Sequence, residues 1–279
     1  MSSALPPSTR YWSDLTTTDF ADLDRSRTIA VLPLGATEQH GPHLPVSVDA
    51  DLAHSMVQAS LGHIPADMPV LFLPVQSIGY SPEHMAFAGT LSLRPETVIR
   101  LWSDIAESVL ASGVRKLVLF NTHGGHLGMM DVVARDLRTR LDMLVYAVSW
   151  FNLPLHTADG EDLMQRFSPQ EQRFGVHAGE METAMMLALK PDQVRQAHRK
   201  SFASSSQQRA ERFPILGNGR SAKLAWAAQD LNPEGAAGNA AKARAEDGQA
   251  LLDATGRAFA QLLCEIDQLP ADTLRPGPR

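Results

Sequence analysis

Thr28-Ile-Ala-Val-Leu-Pro-Leu-Gly35 runs into Ala-Thr-Glu38-Gln-His40-Gly-Pro-His43, and Lys116-Leu-Val-Leu-Phe120 runs into Asn121-Thr-His123-Gly-Gly-His126. Each begins as a short unbroken apolar run, the pattern of a strand buried on both faces. Each then ends in a polar, glycine-bearing turn that carries histidine. Working outward, Val70–Val75 reads as a second short strand with Pro74 near its end, and Leu144–Trp150 as a further one. Helical spacing fills the gaps at 49–61, 94–112 and 129–140. In the second of these, Val98, Leu101, Ile105, Val109 and Leu110 share a face, Pro95 sits in the first turn and Gly113 follows the end. Alternation of buried strands and amphipathic helices predicts βαβ units, hence an α/β fold with a mainly parallel sheet and helices on both faces. Polar residues should then gather at the C-terminal ends of the strands.

The 279 residues (30.4 kDa) are read as one domain with its core over 28–267. A net charge of −6 argues against nucleic acid or an anionic membrane as partner. The lone cysteine, Cys264, excludes an internal disulfide and a cysteine-rich zinc site, so any metal must be held by histidines and carboxylates. Met1–Arg10 lacks a signal-like apolar core and no run approaches the ~20 residues of a membrane span, which points to the cytoplasm. Residues 202–219 turn to Ser, Gln, Arg and Gly and read as a surface excursion or lid. Asn239–Ile266 reads as a long helix packed outside the sheet, and the tail after Pro270 as frayed.

Three clusters carry chemistry. Glu38 and His40 are one residue apart, so in extended geometry both leave the same face, and a turn at Gly41-Pro42 can return Asp49 to the same volume. A carboxylate there can bridge two metals, although a salt-bridged loop with a hydrogen-bonded histidine has the same pattern. His123 sits before Gly124-Gly125, a turn that fits a site, or a phosphate cradle lacking the lysine of such loops. In Val176-His-Ala-Gly-Glu-Met-Glu-Thr183 the glutamates suit a site or simply the N-terminus of the following helix. Three His/carboxylate groups at strand ends point together to a two-metal hydrolase with hard N/O ligands.

The order Leu32-Pro-Leu-Gly-Ala-Thr-Glu-Gln-His-Gly-Pro-His-Leu-Pro45 with Asp49, Gly79-Tyr-Ser-Pro-Glu-His84 with Phe87 and Gly89-Thr90, Asn121-Thr-His-Gly-Gly125 and His177-Ala-Gly-Glu-Met-Glu-Thr183 resembles the successive motifs of the creatininase (creatinine amidohydrolase) family over about residues 30–265. The resemblance implies a three-layer α/β/α sandwich, two divalent ions per chain (Zn, Mn or Fe), hydrolysis of amide bonds, and assembly into homo-oligomers, often hexamers. By position it makes Glu38, His40, Asp49 and His123 metal ligands, with Asp49 bridging. Creatininase has a further glutamate two residues after the motif histidine, where this chain has Gly125, and Glu180 is taken as the substitute ligand or proton-transfer group. His177 matches the proton-shuttling histidine. Thr122 and His126 stand where relatives commonly carry Gly and Asn, which turns the expectation away from creatinine.

The expected reaction is attack of a metal-activated water on a small cyclic or linear amide, with His177 passing a proton to the leaving nitrogen. Tyr80, His84, His126 and Trp150 are placed around the substrate. A lyase or isomerase using the same ligands to stabilise an enolate is the enzymatic rival, and a non-catalytic metal-binding maturation partner the other.

Overall fold

A computed structural model describes residues 9–270 and 272–277, so most of Met1–Arg10 and part of the tail after Pro270 lie outside the described residues. Within that tail, the Arg275 carbonyl accepts a hydrogen bond from Arg138 at 3.0 Å. The chain builds strands β1 (Ile29–Leu34), β2 (Val70–Phe72), β3 (Lys116–Asn121) and β4 (Leu144–Ser149), all pairing in parallel in the order β2-β1-β3-β4. Ile29 lies opposite both Val70 and Lys116, and Lys116 opposite Leu144. Helices follow as α1 (Thr17–Asp22), α2 (Val48–Leu61), α3 (Pro95–Ala111), α4 (Leu127–Leu141), α5 (Pro169–Phe174), α6 (Glu180–Leu189), α7 (Ser205–Arg212), α8 (Ala228–Leu231) and α9 (Ala245–Asp267). A short antiparallel pair, β5 (Ser201–Phe202) with β6 (Gly238–Asn239), lies apart from the main sheet.

Every residue of β1 is buried, because alternate side chains enter opposite cores. Ile29 and Val31 meet Leu52 and Met56 of α2, Met185 of α6 and Phe259 of α9, whereas Ala30, Leu32 and Leu34 meet Trp102 of α3 and Val133 of α4. Helix layers on both faces of a parallel sheet give the expected three-layer sandwich. The chain leaves β1 for one neighbour, β2, and later returns on the other side as β3. The C-terminal ends of β1 and β3 therefore flank a reversal of strand order, where open α/β sheets leave a crevice.

Two boundaries differ from the sequence expectation. β2 stops at Phe72 because Pro74 has no N–H to give, although Leu73 and Gln76 still donate to the β1 carbonyls of Val31 and Pro33 at 2.8 and 2.9 Å. The last helix begins at Ala245 rather than Asn239. Asn239 pairs in β6, and the Arg199 guanidinium takes the carbonyls of Ala240 and Ala243 at 3.1 and 2.6 Å, so tertiary contacts override helical propensity there. Among the described residues no helix is long and apolar enough to cross a membrane.

Candidate metal centre

Beyond β1 the chain stays extended through Glu38 and His40, and both side chains enter the crevice, each about 1% exposed. The His40 Nδ1–H donates to the Glu38 carbonyl at 3.0 Å, which leaves Nε2 facing Asp49 Oδ1 at 3.6 Å. Gly41 turns the chain at φ 65°, and Asp49 comes back in the first turn of α2. Thr122 clamps that turn to the sheet, its hydroxyl donating to the Asp49 carbonyl at 2.7 Å. At the end of β3, Asn121 accepts from the His123 N–H at 3.1 Å and donates to its carbonyl at 2.7 Å. The His123 ring is then oriented by Nε2–H donating to the Tyr80 carbonyl at 3.0 Å, so that Nδ1 faces Glu38 Oε1 at 3.3 Å and Asp49 Oδ2 at 3.5 Å. Both histidines thus spend one nitrogen on a backbone carbonyl and turn the other lone pair towards carboxylates, the arrangement of a metal-ligating imidazole.

The third contribution comes from α6, and here the structure departs from expectation. Glu180 and Glu182 are the first and third residues of the helix, about 200° apart around its axis, so one face cannot present both. Glu182 faces the crevice, where its Oε2 accepts the Ala178 N–H at 2.6 Å and holds Ala178 at φ 53°, a left-handed conformation costing about 1 kcal/mol for a non-glycine residue. Glu180 instead turns towards Glu171, Lys242, Arg244 and Asp247 and joins none of the ligand groups, while its N–H donates to Glu171 Oε1 at 2.6 Å. The carboxylate set beside His40 is therefore that of Glu182.

Potential ligand atoms converge within 4.8 Å in three groups, Glu38 with His40 and His177, Glu38 with Asp49 and His123, and His40 with Asp49 and Glu182, and Asp49 is shared by the last two. Glu38 Oε2, His40 Nε2 and Asp49 Oδ2 are buried without a hydrogen-bond partner, so the centre is short of positive charge at the atoms a divalent ion would take. Without metal, protons fill that role. Burial is the largest single influence and would depress both histidines, but the surrounding carboxylates together outweigh it: Asp49 with Glu182 and Glu38 at His40, pushed up to about 9, and Glu38 with Asp49 and Glu83 at His123, pushed up to about 10. Burial, reinforced by Asp49, raises the Glu182 carboxyl to about 7. The residues fit a pair of hard, oxygen- and nitrogen-ligated dications sharing Asp49.

A cavity of about 450 Å³ opens on these groups. His84, His177 and Trp150 line it, along with Glu83, Phe151, Met181 and Trp226, which the sequence did not single out. Gln39, also unremarked in the sequence, organises its histidines. The Gln39 amide donates to His84 Nδ1 at 2.7 Å and to the Gly235 carbonyl at 2.8 Å, while the His177 Nε2–H donates to the Gln39 carbonyl at 2.7 Å. His177 Nδ1 is left facing Glu38 Oε1 at 3.6 Å. Burial first, and His40 next, hold both His84 and His177 in the neutral form, with His84 pushed down to about 3.

Tyr80 and His126 are not where they were expected. Tyr80 is partly buried against the core cluster that holds Trp102 of α3 and Val133 of α4, does not line the cavity, and serves the centre through its backbone. His126 is fully buried away from the cavity: Nδ1–H donates to Asn121 Oδ1 at 3.1 Å, Nε2 accepts the Tyr80 N–H at 3.2 Å, and the ring stands edge-on to Trp102. It braces the His123 turn against the loop before His84.

Residues 13–263 match the family described as creatinine amidohydrolase. The chain belongs to the creatininase family. It is 34% identical over 172 residues to a mycofactocin precursor peptide peptidase of Mycobacterium tuberculosis, covering 59% of this chain and 60% of that protein. It is 31% identical over 180 residues to a creatinine amidohydrolase of Pseudomonas putida, covering 60% and 66%. The matches thus span about three fifths to two thirds of these creatininase-family relatives. A solved manganese form of creatininase superposes with a TM-score of 0.71 at 23% identity, covering 94% of this chain and 100% of that one, which places the creatininase fold on the whole described sheet and its helices.

Proposed function

We propose that this chain is a metal-dependent hydrolase of carbon–nitrogen bonds in amides, with two divalent ions held by Glu38, His40, Asp49, His123 and Glu182. The observation that carries the reading is the pair of ligand groups sharing Asp49, with three buried, unpartnered ligand atoms opening on a cavity. Bound there, divalent ions make water a nucleophile near neutral pH and polarise a carbonyl oxygen. The chain's own residues do the rest. Glu38 and Asp49 fix the charge, and the backbone carbonyls of Glu38 and Tyr80 fix the two ligand imidazoles. His177 has its Nε2–H committed to Gln39, so its free Nδ1 is the site that takes and returns a proton. Trp150 and Phe151 wall the cavity.

A cavity of about 450 Å³ is in the range that takes a drug-sized ligand, which supports an amide larger than a small lactam, peptide-like or otherwise. The net charge of −6 supports a small-molecule partner over nucleic acid, and a cytoplasmic setting belongs to the same reading. Ile215, Leu216 and Leu224, all more than half exposed, support association of copies into a homo-oligomer. Zinc, manganese and iron all suit the donor set.

The test is a panel of peptide, linear and cyclic amides turned over by metal-replete protein in ¹⁸O-water. Label in a carboxylate product and up to two ions per chain by elemental analysis are expected, with both ions lost in Asp49→Ala. Products formed without label would favour the lyase or isomerase. An undiminished metal content in Asp49→Ala would end the shared-ligand assignment.

A further inference from the structure

Glu83 lies in the turn Pro82–His84, its side chain 15% exposed, and lines the cavity without belonging to any of the three ligand groups. It approaches the centre only through His123 Nε2, 3.9 Å from its Oε1. That nitrogen points away from Glu38 and Asp49 and already donates to the Tyr80 carbonyl. The carboxylate therefore stands behind the ligand ring rather than on the side where ions would sit. No side-chain donor among the described residues reaches it within hydrogen-bond distance.

Gly125 is the companion of this placement. A Cβ there would lie 2.6 Å from Glu83 Oε1 and 2.4 Å from His123 Nε2, so the glycine leaves the volume that the carboxylate fills. Around the rest of the cavity no lysine or arginine contributes to the lining among the described residues, and Phe151, Leu155, Met164 and Met181 supply an apolar wall. An anionic substituent would find no lysine or arginine, and an ammonium or amino group would find the Glu83 carboxylate, whose one charged side-chain neighbour among the described residues is the His123 ring at 3.9 Å. Such an asymmetry selects by charge as well as by shape.

We infer that Glu83 determines specificity by accepting the N–H donors of an ammonium or amino substituent on the amide substrate, whose apolar part lies along Phe151, Leu155, Met164 and Met181. The inference rests on the hydrolase reading for the word substrate, but the binding preference itself does not.

Two measurements on metal-replete protein test it. In binding titrations, phenethylammonium should bind the wild type about tenfold or more tighter than 2-phenylethanol, and Glu83→Gln should shrink that ratio to about threefold or less. In turnover, kcat/KM should fall in the order phenylalaninamide, 3-phenyllactamide, 2-benzylmalonamate, with Glu83→Gln hurting the first at least tenfold more than the second. Equal binding of the two probes by the wild type, or a preference that survives Glu83→Gln, overturns the inference. If the ammonium preference holds and no amide is cleaved, the hydrolase reading fails and Glu83's role stands. If amides are cleaved without preference, the reverse follows. Should Glu83→Gln not fold, Glu83→Asp replaces it: the shortened carboxylate must weaken phenethylammonium binding more than 2-phenylethanol binding, and parallel effects overturn the assignment.

Discussion

Gly248→Ala should damage both the fold and the metal centre, because of where α9 crosses α6. A Cβ at 248 would stand 1.9 Å from the Ala184 carbonyl oxygen and 2.2 Å from its carbon. Ordinary contact needs about 3.5 Å, so the helices must part by on the order of 1.5 Å. The obstacle is backbone, which no rotamer change relieves. Overpacking typically costs about 1–3 kcal/mol, and the upper end applies here. For a chain of this size that is a fall in melting temperature of roughly 6–12 °C. Ala184 lies two residues past Glu182, so any retreat of α6 carries the Glu182 carboxylate away from His40 and Asp49. Gly256→Ala is the comparison. Its Cβ would meet Ala59 at 2.6 Å, in α2 but ten residues from Asp49, about 15 Å along the helix. It should destabilise less and leave metal content intact. Thermal melts of metal-free protein, followed by metal titration at a temperature where both variants are folded, separate the two effects. A Gly248→Ala variant that melts within about 2 °C of the wild type, or a Gly256→Ala variant that loses as much metal affinity, would refute the reasoning.

Glu182→Gln should lower metal content at the His40 side at least tenfold in affinity while Glu180→Gln leaves it unchanged, and the opposite ranking by elemental analysis would return the ligand role to Glu180. His126→Asn removes the acceptor of the Tyr80 N–H and leaves a void beside Trp102, and should cost about 2–3 kcal/mol by chemical denaturation without altering the relative rates on different amides. A changed substrate profile at full stability would put the ring back in the cavity. Asp247, buried between Arg244 Nε at 2.7 Å and Arg166 Nη1 at 3.3 Å, has its carboxyl held below the usual range, first by the Arg244 hydrogen bond and against burial. The unfolded chain binds that proton more readily, so the stabilisation is present above about pH 4 and is lost as pH falls through the lower folded value. Asp247→Asn should therefore cost about 1–3 kcal/mol at pH 7 and less at pH 3, and a pH-independent difference in denaturation midpoints would contradict the assignment.

What the sequence made legible was set by short-range rules. The unbroken apolar runs of β1 and β3 are strands buried on two faces, and the single-residue spacing of Glu38 and His40 does put both on one side. The glycine turn after β3 does deliver His123 to the same crevice. The failures came where a side chain's direction depends on its neighbours. Glu180 and Glu182 differ only in helical azimuth, and the usable signal was that a third-position glutamate can reach back to the N-terminal backbone, as Glu182 does to Ala178. Tyr80 shows an aromatic loop residue whose side chain packs against a core while its peptide serves the centre. His126 is placed around the substrate because histidine is chemically versatile, but Asn121 and the Tyr80 peptide consume both its nitrogens. Gln39 and Glu83 carry no motif of their own and are visible only once the turns have been folded around the crevice.

The cavity draws its parts from two different kinds of segment. Its floor hangs from rigid elements, the ends of β1 and β3 and the first turns of α2 and α6, locked by backbone hydrogen bonds. Its sides come from elsewhere: the turn holding Glu83, residues 150–155 after β4, Met164, and Trp226 beyond the excursion that follows β5. Among the described residues the sides meet the floor through Tyr80, Ser81, His84, Glu83 and Gln39, whereas Phe151, Leu155, Met164 and Met181 supply apolar wall, so substitutions in that wall can remodel what is admitted without removing a charged group beside the ion site. A histidine–carboxylate base hung from the sheet under an apolar chamber hung mostly from loops is a construction in which the wall can change shape while the base keeps its geometry.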